Sequence, residues 1–177
     1  MIMTAGLRKL ALTAHVTSSV GWLGAVAGFL ALAVAGLASR NVQTVRAAYI
    51  AMELTGWLVI VPLCIASFLT GIVQSLGTPW GVFRHYWVVA KLLIATLATV
   101  VLLVHMQPIS DVARVAAQQT LAPDALHDVR VQLVADAGAA LLVLLVASTL
   151  SIYKPRGLTP YGWRKLREGQ GDDYRLV

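Results

Sequence analysis

With 177 residues, 58% hydrophobic and 12% charged side chains, and a mean hydropathy of +0.76, the chain lies far from the roughly one-quarter charged content of soluble domains. That excludes an ordinary soluble enzyme and marks a membrane protein with the lipid bilayer as its first partner. The net charge of +6 comes from cations beside apolar segments and not along a stacking groove, so nucleic-acid binding has no basis.

A bilayer core takes about 20 mainly apolar residues per helix, and four segments reach that length. The first covers 10–38. Arg8 and Lys9 precede it in the manner of a secretory leader, but the apolar run exceeds the roughly 7–15 residues of a leader core and reads as a span. Ser39, Arg40 and Asn41 break the run, and Val42 to Tyr49 leads helically into the second segment, 47–76. Pro62 removes a backbone donor there and predicts a kink. Cys64 is the single cysteine, so no intrachain disulfide forms.

SLGTPWG, Ser75 to Gly81, is the clearest turn signal in the chain. Helix 3 follows over 87–106 and is expected to stop at Pro108. The outer loop from Gln107 to Arg130 contains the amphipathic SDVARVAAQQTL, whose Val112, Val115 and Ala116 suit the membrane surface or the bundle. Pro123 and Asp124 read as the first turn of helix 4, which enters the bilayer after Arg130 and spans 133–153. Residues 1–153 thus form one domain, followed by a basic tail, 154–177, in which Tyr161 and Trp163 among cations suggest an interfacial anchor.

Four spans bring the N-terminus, the link between helices 2 and 3, and the tail to one side. That side carries Arg8, Lys9, Arg84, Lys91, Lys154, Arg156, Arg164, Lys165, Arg167 and Arg175, against Arg40, Arg46, Arg114 and Arg130 on the other. The excess makes the first side cytoplasmic. The expected architecture is an all-α, four-helix transmembrane bundle in a bacterial inner membrane, both termini cytoplasmic.

Ionisable side chains inside a bilayer cost at least about 2.5–3.5 kcal/mol and are functional candidates for that reason. His15 and Lys91 lie about five and four residues inside the cytoplasmic edge of helices 1 and 3, some 6–8 Å deep at about 1.5 Å per residue, and share a layer with Gln74, Thr149 and Ser151. Ser18, Ser19 and Trp22 follow His15 at i+3, i+4 and i+7, on its helix face. Each has a plainer reading: Lys91 snorkels to the headgroups, and His15 is satisfied by Ser18, Ser19 or a backbone carbonyl. Glu53, His105 and Asp136 lie at the outer end with Met52 and Met106, where structural pairing or solvation suffices. The depth difference excludes His15 and His105 as two ligands of one haem.

Chemically, an imidazole ligates haem iron or moves protons, and an ammonium in a poorly hydrated layer attracts a carboxylate such as a porphyrin propionate. Met52, Met106 and Cys64 form no spaced metal motif, which leaves His105 only a weak metal candidate.

His15, Trp22 and Gly24 in helix 1, Thr70 and Gly71 in helix 2, and Trp87, Lys91, Leu92 and Leu93 in helix 3 together resemble the small four-helix membrane proteins that include the HemJ-type protoporphyrinogen oxidase and the copper-resistance CopD domain. SIYKPRGLTPYG and the overall layout are more similar still to a bacterial group of integral membrane proteins designated DUF2269. The resemblance to the HemJ type implies that His15 and Lys91 are its haem-associated functional residues, and only these two carry over; Ser18, Ser19, Trp22 and Gln74, placed in the same layer by spacing and depth, are further candidates for contact with a cofactor. If the chain is an enzyme, the resemblance implies a membrane oxidoreductase. Two other classes stay open. One is a non-catalytic accessory subunit or scaffold, with Gly21, Ala25 and Gly28 at the spacing that packs a partner helix, from a second copy or a membrane complex. The other is transport of copper or a small molecule.

Overall fold

The computed structural model describes residues 3–77, 81–118, 127–153, 155 and 157–173, and for 169–173 the backbone alone. The expected turn at Pro79 and Trp80, the helical start at Pro123 and Asp124, and the cations Lys154, Arg156 and Arg175 lie outside them.

The chain is all-helical. Helix α1 is Ala5–Ala38; α2, Val42–Thr55, runs through a π-helical turn, Gly56–Ile60, into α3, Val61–Gly77. Helices α4, Tyr86–Ala117, α5, His127–Tyr153, and α6, Pro160–Asp173, complete the described elements. The four long stretches, α1, α2 through α3, α4 and α5, are each apolar and long enough to cross a membrane.

Asn41 makes the tight link between α1 and α2. Its side-chain oxygen accepts from the amides of Gln43 at 2.9 Å and Thr44 at 3.2 Å, satisfying two of the donors that a helix start exposes. The expected irregularity of the second span takes the form of the π turn directly before Pro62, in which the Val61 amide reaches back to the Gly56 carbonyl. Such single π turns mark places where the α ladder is interrupted. At Gly56 a Cβ would come within 2.7 Å of Met106 Cε, so glycine here lets the second span close on α4.

Ser18, Trp22, Val26, Phe29, Ala33 and Gly36 are the buried residues of α1, spaced three or four apart so that one face stays against the bundle for five turns. Val45, Tyr49 and Met52 from α2, Ile60 to Cys64 around the π turn, Met106 and Val112 from α4, and Leu133, Ala137 and Leu144 from α5 fill the opposing surface. The apolar residues pointing outward, among them Leu93, Leu97 and Val104 on α4 and Leu142 and Val146 on α5, suit a lipid environment, where packing between helices and not expulsion from water holds a bundle together.

Helix α4 overturns one expectation. It does not stop at Pro108 but continues to Ala117. A proline inside a helix costs about 3 kcal/mol. The continuation offsets this by burying Ile109, Val112, Ala113 and Ala116, while Arg46 of α2 donates to the Ala117 carbonyl at 3.1 Å and so caps the far end. Of the amphipathic stretch, Val112 and Ala116 turn into the bundle and Val115 is half-buried.

At the same end of the bundle Arg130 of α5 is buried. It donates through Nε to the Tyr49 hydroxyl at 2.9 Å and through Nη2 to the Gly36 carbonyl, with its guanidinium 5.6 Å from the Tyr49 ring centre. One cation thereby joins α1, α2 and α5.

The tail returns to the α3–α4 connection. Gly81 there adopts φ +59°, a left-handed conformation that suits glycine. The Thr159 amide donates to the Arg84 carbonyl at 3.0 Å, and its hydroxyl to the Phe83 carbonyl at 2.5 Å. That hydroxyl also accepts from the Gly162 amide at 3.1 Å, an N-cap for α6 with Pro160 in the first helical turn. Thr159→Ala is expected to destabilise the start of α6 by about 1 kcal/mol, the usual cost of losing a cap. Amide exchange across 160–168 should accelerate roughly fivefold while the long helices are unchanged.

Candidate functional site

Two polar faces meet where α1 packs on α3. On α1 the face is His15, Ser18, Ser19 and Trp22. On α3 it is Ser67, Thr70, Gly71 and Gln74, at i, i+3, i+4 and i+7, the same spacing and for the same reason. His15 Nδ1 lies 3.1 Å from the Ser67 carbonyl oxygen and 3.1 Å from Thr70 Oγ1. A carbonyl can only accept. The Thr70 hydroxyl commits its own proton to the Ala66 carbonyl at 2.6 Å, so it too accepts from the ring. Nδ1 is therefore the donor, and in the neutral imidazole Nε2 holds the lone pair. Among the described residues Nε2 has no hydrogen-bond partner.

Gly71 seats the ring. A Cβ at this position would stand 3.2 Å from His15 Cε1, tighter than ordinary contact, so α3 comes this close because the side chain is missing. Ser19 and Ser67 share a hydroxyl–hydroxyl bond of 2.7 Å, which pins the two helices one turn further along. Ser18 is buried but donates to the His15 carbonyl at 3.1 Å, bracing its own helix without touching the ring. Trp22 belongs to the core below.

Lys91 approaches from α4. Its Nζ donates to Ser151 Oγ of α5 at 2.5 Å, and Ser151 donates in turn to the Ala147 carbonyl at 2.9 Å. Gln74 adds a third feature: its amide nitrogen is buried and has no acceptor among the described residues. An orphaned buried donor costs about 1–3 kcal/mol. Thr149, expected in this layer, is exposed and bonds to the Leu145 carbonyl of its own helix.

At the other end His105 Nε2 lies 3.1 Å from Asp136 Oδ2. Among the described residues no three His, Cys, Asp or Glu side chains converge. Met52, Met106 and Cys64 are fully buried packing residues, and Cys64 Sγ lies 3.3 Å from Thr99 Oγ1.

Of the partners expected for His15, Ser18 and Ser19 do not hold the ring; a backbone carbonyl does, that of Ser67, joined by the Thr70 hydroxyl. The polar stripe on α3 was the available signal. The chain matches no protein-family model, no curated protein and no solved structure.

Proposed function

We propose that this chain is a multi-pass protein of the bacterial cytoplasmic membrane, with both termini cytoplasmic, that binds haem or a related redox-active tetrapyrrole in the His15 layer. The observation that supports it is the orientation of His15: Nδ1–H is anchored on Ser67 and Thr70 and Nε2 carries a lone pair with no partner among the described residues. A ring whose second nitrogen is held by a backbone carbonyl is the arrangement that fixes an imidazole as a ligand. The basic residues of the N-terminal end favour the cytoplasmic orientation.

In this reading His15 is the ligand. Lys91 is the cation for a carboxylate on the tetrapyrrole, and the amide nitrogen of Gln74 is a donor awaiting an acceptor. Bound haem supplies one-electron chemistry, while ligand, charge and burial set its potential. The resemblance to the HemJ-type oxidase and to DUF2269 proteins is consistent with this reading, which extends to no particular reaction.

Haem titration of the purified protein in detergent tests it: a Soret band should grow to one equivalent and then saturate. Lys91→Met should weaken binding roughly 10- to 100-fold, since hydrogen bonds to charged groups contribute about 1.5–3 kcal/mol. Addition of haem without a saturable band would overturn the reading.

A second reading, an accessory or scaffold subunit, draws on Gly24 and Gly28. Both lie on the outward face of α1, where an added Cβ meets nothing within 4 Å, leaving a shallow strip of the small-xxx-small kind. It predicts that Gly28→Leu disrupts assembly in cross-linking while haem binding, if any, is untouched.

A further inference from the structure

His105 and Asp136 face each other across α4 and α5 at the end of the bundle remote from His15. His105 sits in helix α4, and its Nδ1 lies 2.8 Å from the carbonyl of Val101, one turn earlier. That carbonyl can only accept, so Nδ1 carries a proton. In a neutral ring Nε2 is then a bare lone pair. Nε2 is also the atom 3.1 Å from Asp136 Oδ2. Oδ2 is buried and accepts no aligned hydrogen bond among the described residues. A neutral imidazole opposite an ionised carboxylate would therefore hold two lone pairs against each other at van der Waals range or closer. One added proton replaces this repulsion with an attraction between the two groups, and a rotation of the Asp136 carboxylate would align it as a charge-assisted hydrogen bond.

We propose that the His105–Asp136 pair is a proton-binding site that takes up and releases one proton held in common between Nε2 and Oδ2. The balance is simple: the pair carries one negative charge when empty and none when loaded, and no other atom changes its bonding. Groups that share one proton are expected to titrate as a pair.

Among the described residues, most other charged or titratable groups on the surrounding elements are engaged elsewhere or exposed. On α4 itself Asp111 is engaged by Arg114 at 3.2 Å. From α2, Arg46 donates to the Ala117 carbonyl, Tyr49 accepts from Arg130, and Glu53 is half-buried. From α3, Cys64 is turned to Thr99. From α5, Arg130 is held by Tyr49 and Gly36, and His127 and Asp128 are exposed at the helix start. The side chains of the pair are 30% and 37% exposed, so the pair is not sealed inside the bundle. About nine helical turns of α4 separate Tyr86 from Ala117, and His105 lies some 21 Å along the axis from Lys91 at about 1.5 Å per residue, so the site is distinct from the His15 layer.

The test uses the full chain in nanodiscs, with 15N-labelled histidine followed by NMR and the carboxyl region followed by infrared spectroscopy, both across a pH titration. His105 is assigned by its loss in His105→Gln. The His105 signal and an Asp136 carboxyl signal should move with one common midpoint. Asp136→Asn should shift the His105 midpoint at least tenfold in proton affinity, because the amide offers Nε2 a hydrogen of its own. Separate midpoints in the wild-type protein would overturn the proposal, as would a His105 midpoint unaffected by Asp136→Asn. Should the variant not fold, the coincidence or separation of the wild-type midpoints decides alone.

Discussion

Replacing His15 with alanine is expected to weaken haem binding by more than 100-fold, with free imidazole restoring the Soret band. The basis is the division of labour at the ring. Ser67 and Thr70 hold Nδ1 and thus orient Nε2, and loss of such an orienting partner by itself typically lowers affinity roughly 10- to 100-fold. Loss of the ligand must cost more than loss of its support. Alanine leaves a space the shape of the ring beside Gly71, which added imidazole can enter. Thr70→Val provides the graded comparison: it removes one acceptor from Nδ1 and leaves the Ser67 carbonyl, so binding should weaken about tenfold. A ring that merely fills space between α1 and α3 would give a stability loss in His15→Ala and no response to imidazole.

Gly36→Val should cost about 3–5 kcal/mol of stability. A Cβ at Gly36 would lie 2.8 Å from Tyr49 Cζ, on a ring that is 1% exposed and has nowhere to withdraw. Overpacking of this kind costs about 1–3 kcal/mol. Moving Tyr49 also takes its hydroxyl from Arg130 Nε, and a hydrogen bond to a charged group contributes about 1.5–3 kcal/mol. At the roughly 2–4 °C per kcal/mol usual for chains of this length, the thermal midpoint followed by helical circular dichroism should fall by about 10 °C. Tyr49→Phe separates the two parts, since it keeps the ring, removes only the hydroxyl and should account for about half of the loss.

The four spans were legible because length and hydropathy are properties of single segments. So were the Ser39 to Asn41 break, which became a capped turn, and the candidate status of His15 and Lys91, since an ionisable group in an apolar run stands out wherever the helices pack. Pro108 misled because its local cost was visible while the compensation was not: Val112 and Ala116 turn inward only because α2 lies alongside, and Arg46, which caps Ala117, is 71 residues away. The tail shows the same thing in reverse. Thr159 and Pro160 start α6 there because the Arg84 carbonyl, far away in the chain, receives the Thr159 amide. Partnerships across helices were the least legible. His15 bonds to residues 52 and 55 positions on, and His105 finds Asp136 on the next span. A helical face tells which side chains travel together, not which neighbour they meet.

The most direct measurement is the absorption spectrum of the full-length wild-type protein, purified in detergent and given one equivalent of haem, beside His15→Ala treated identically. A Soret band in the wild-type protein that is lost in His15→Ala and regained with imidazole is the predicted result. A wild-type spectrum without the band, or the same band in both proteins, would contradict assignment of His15 as the ligand.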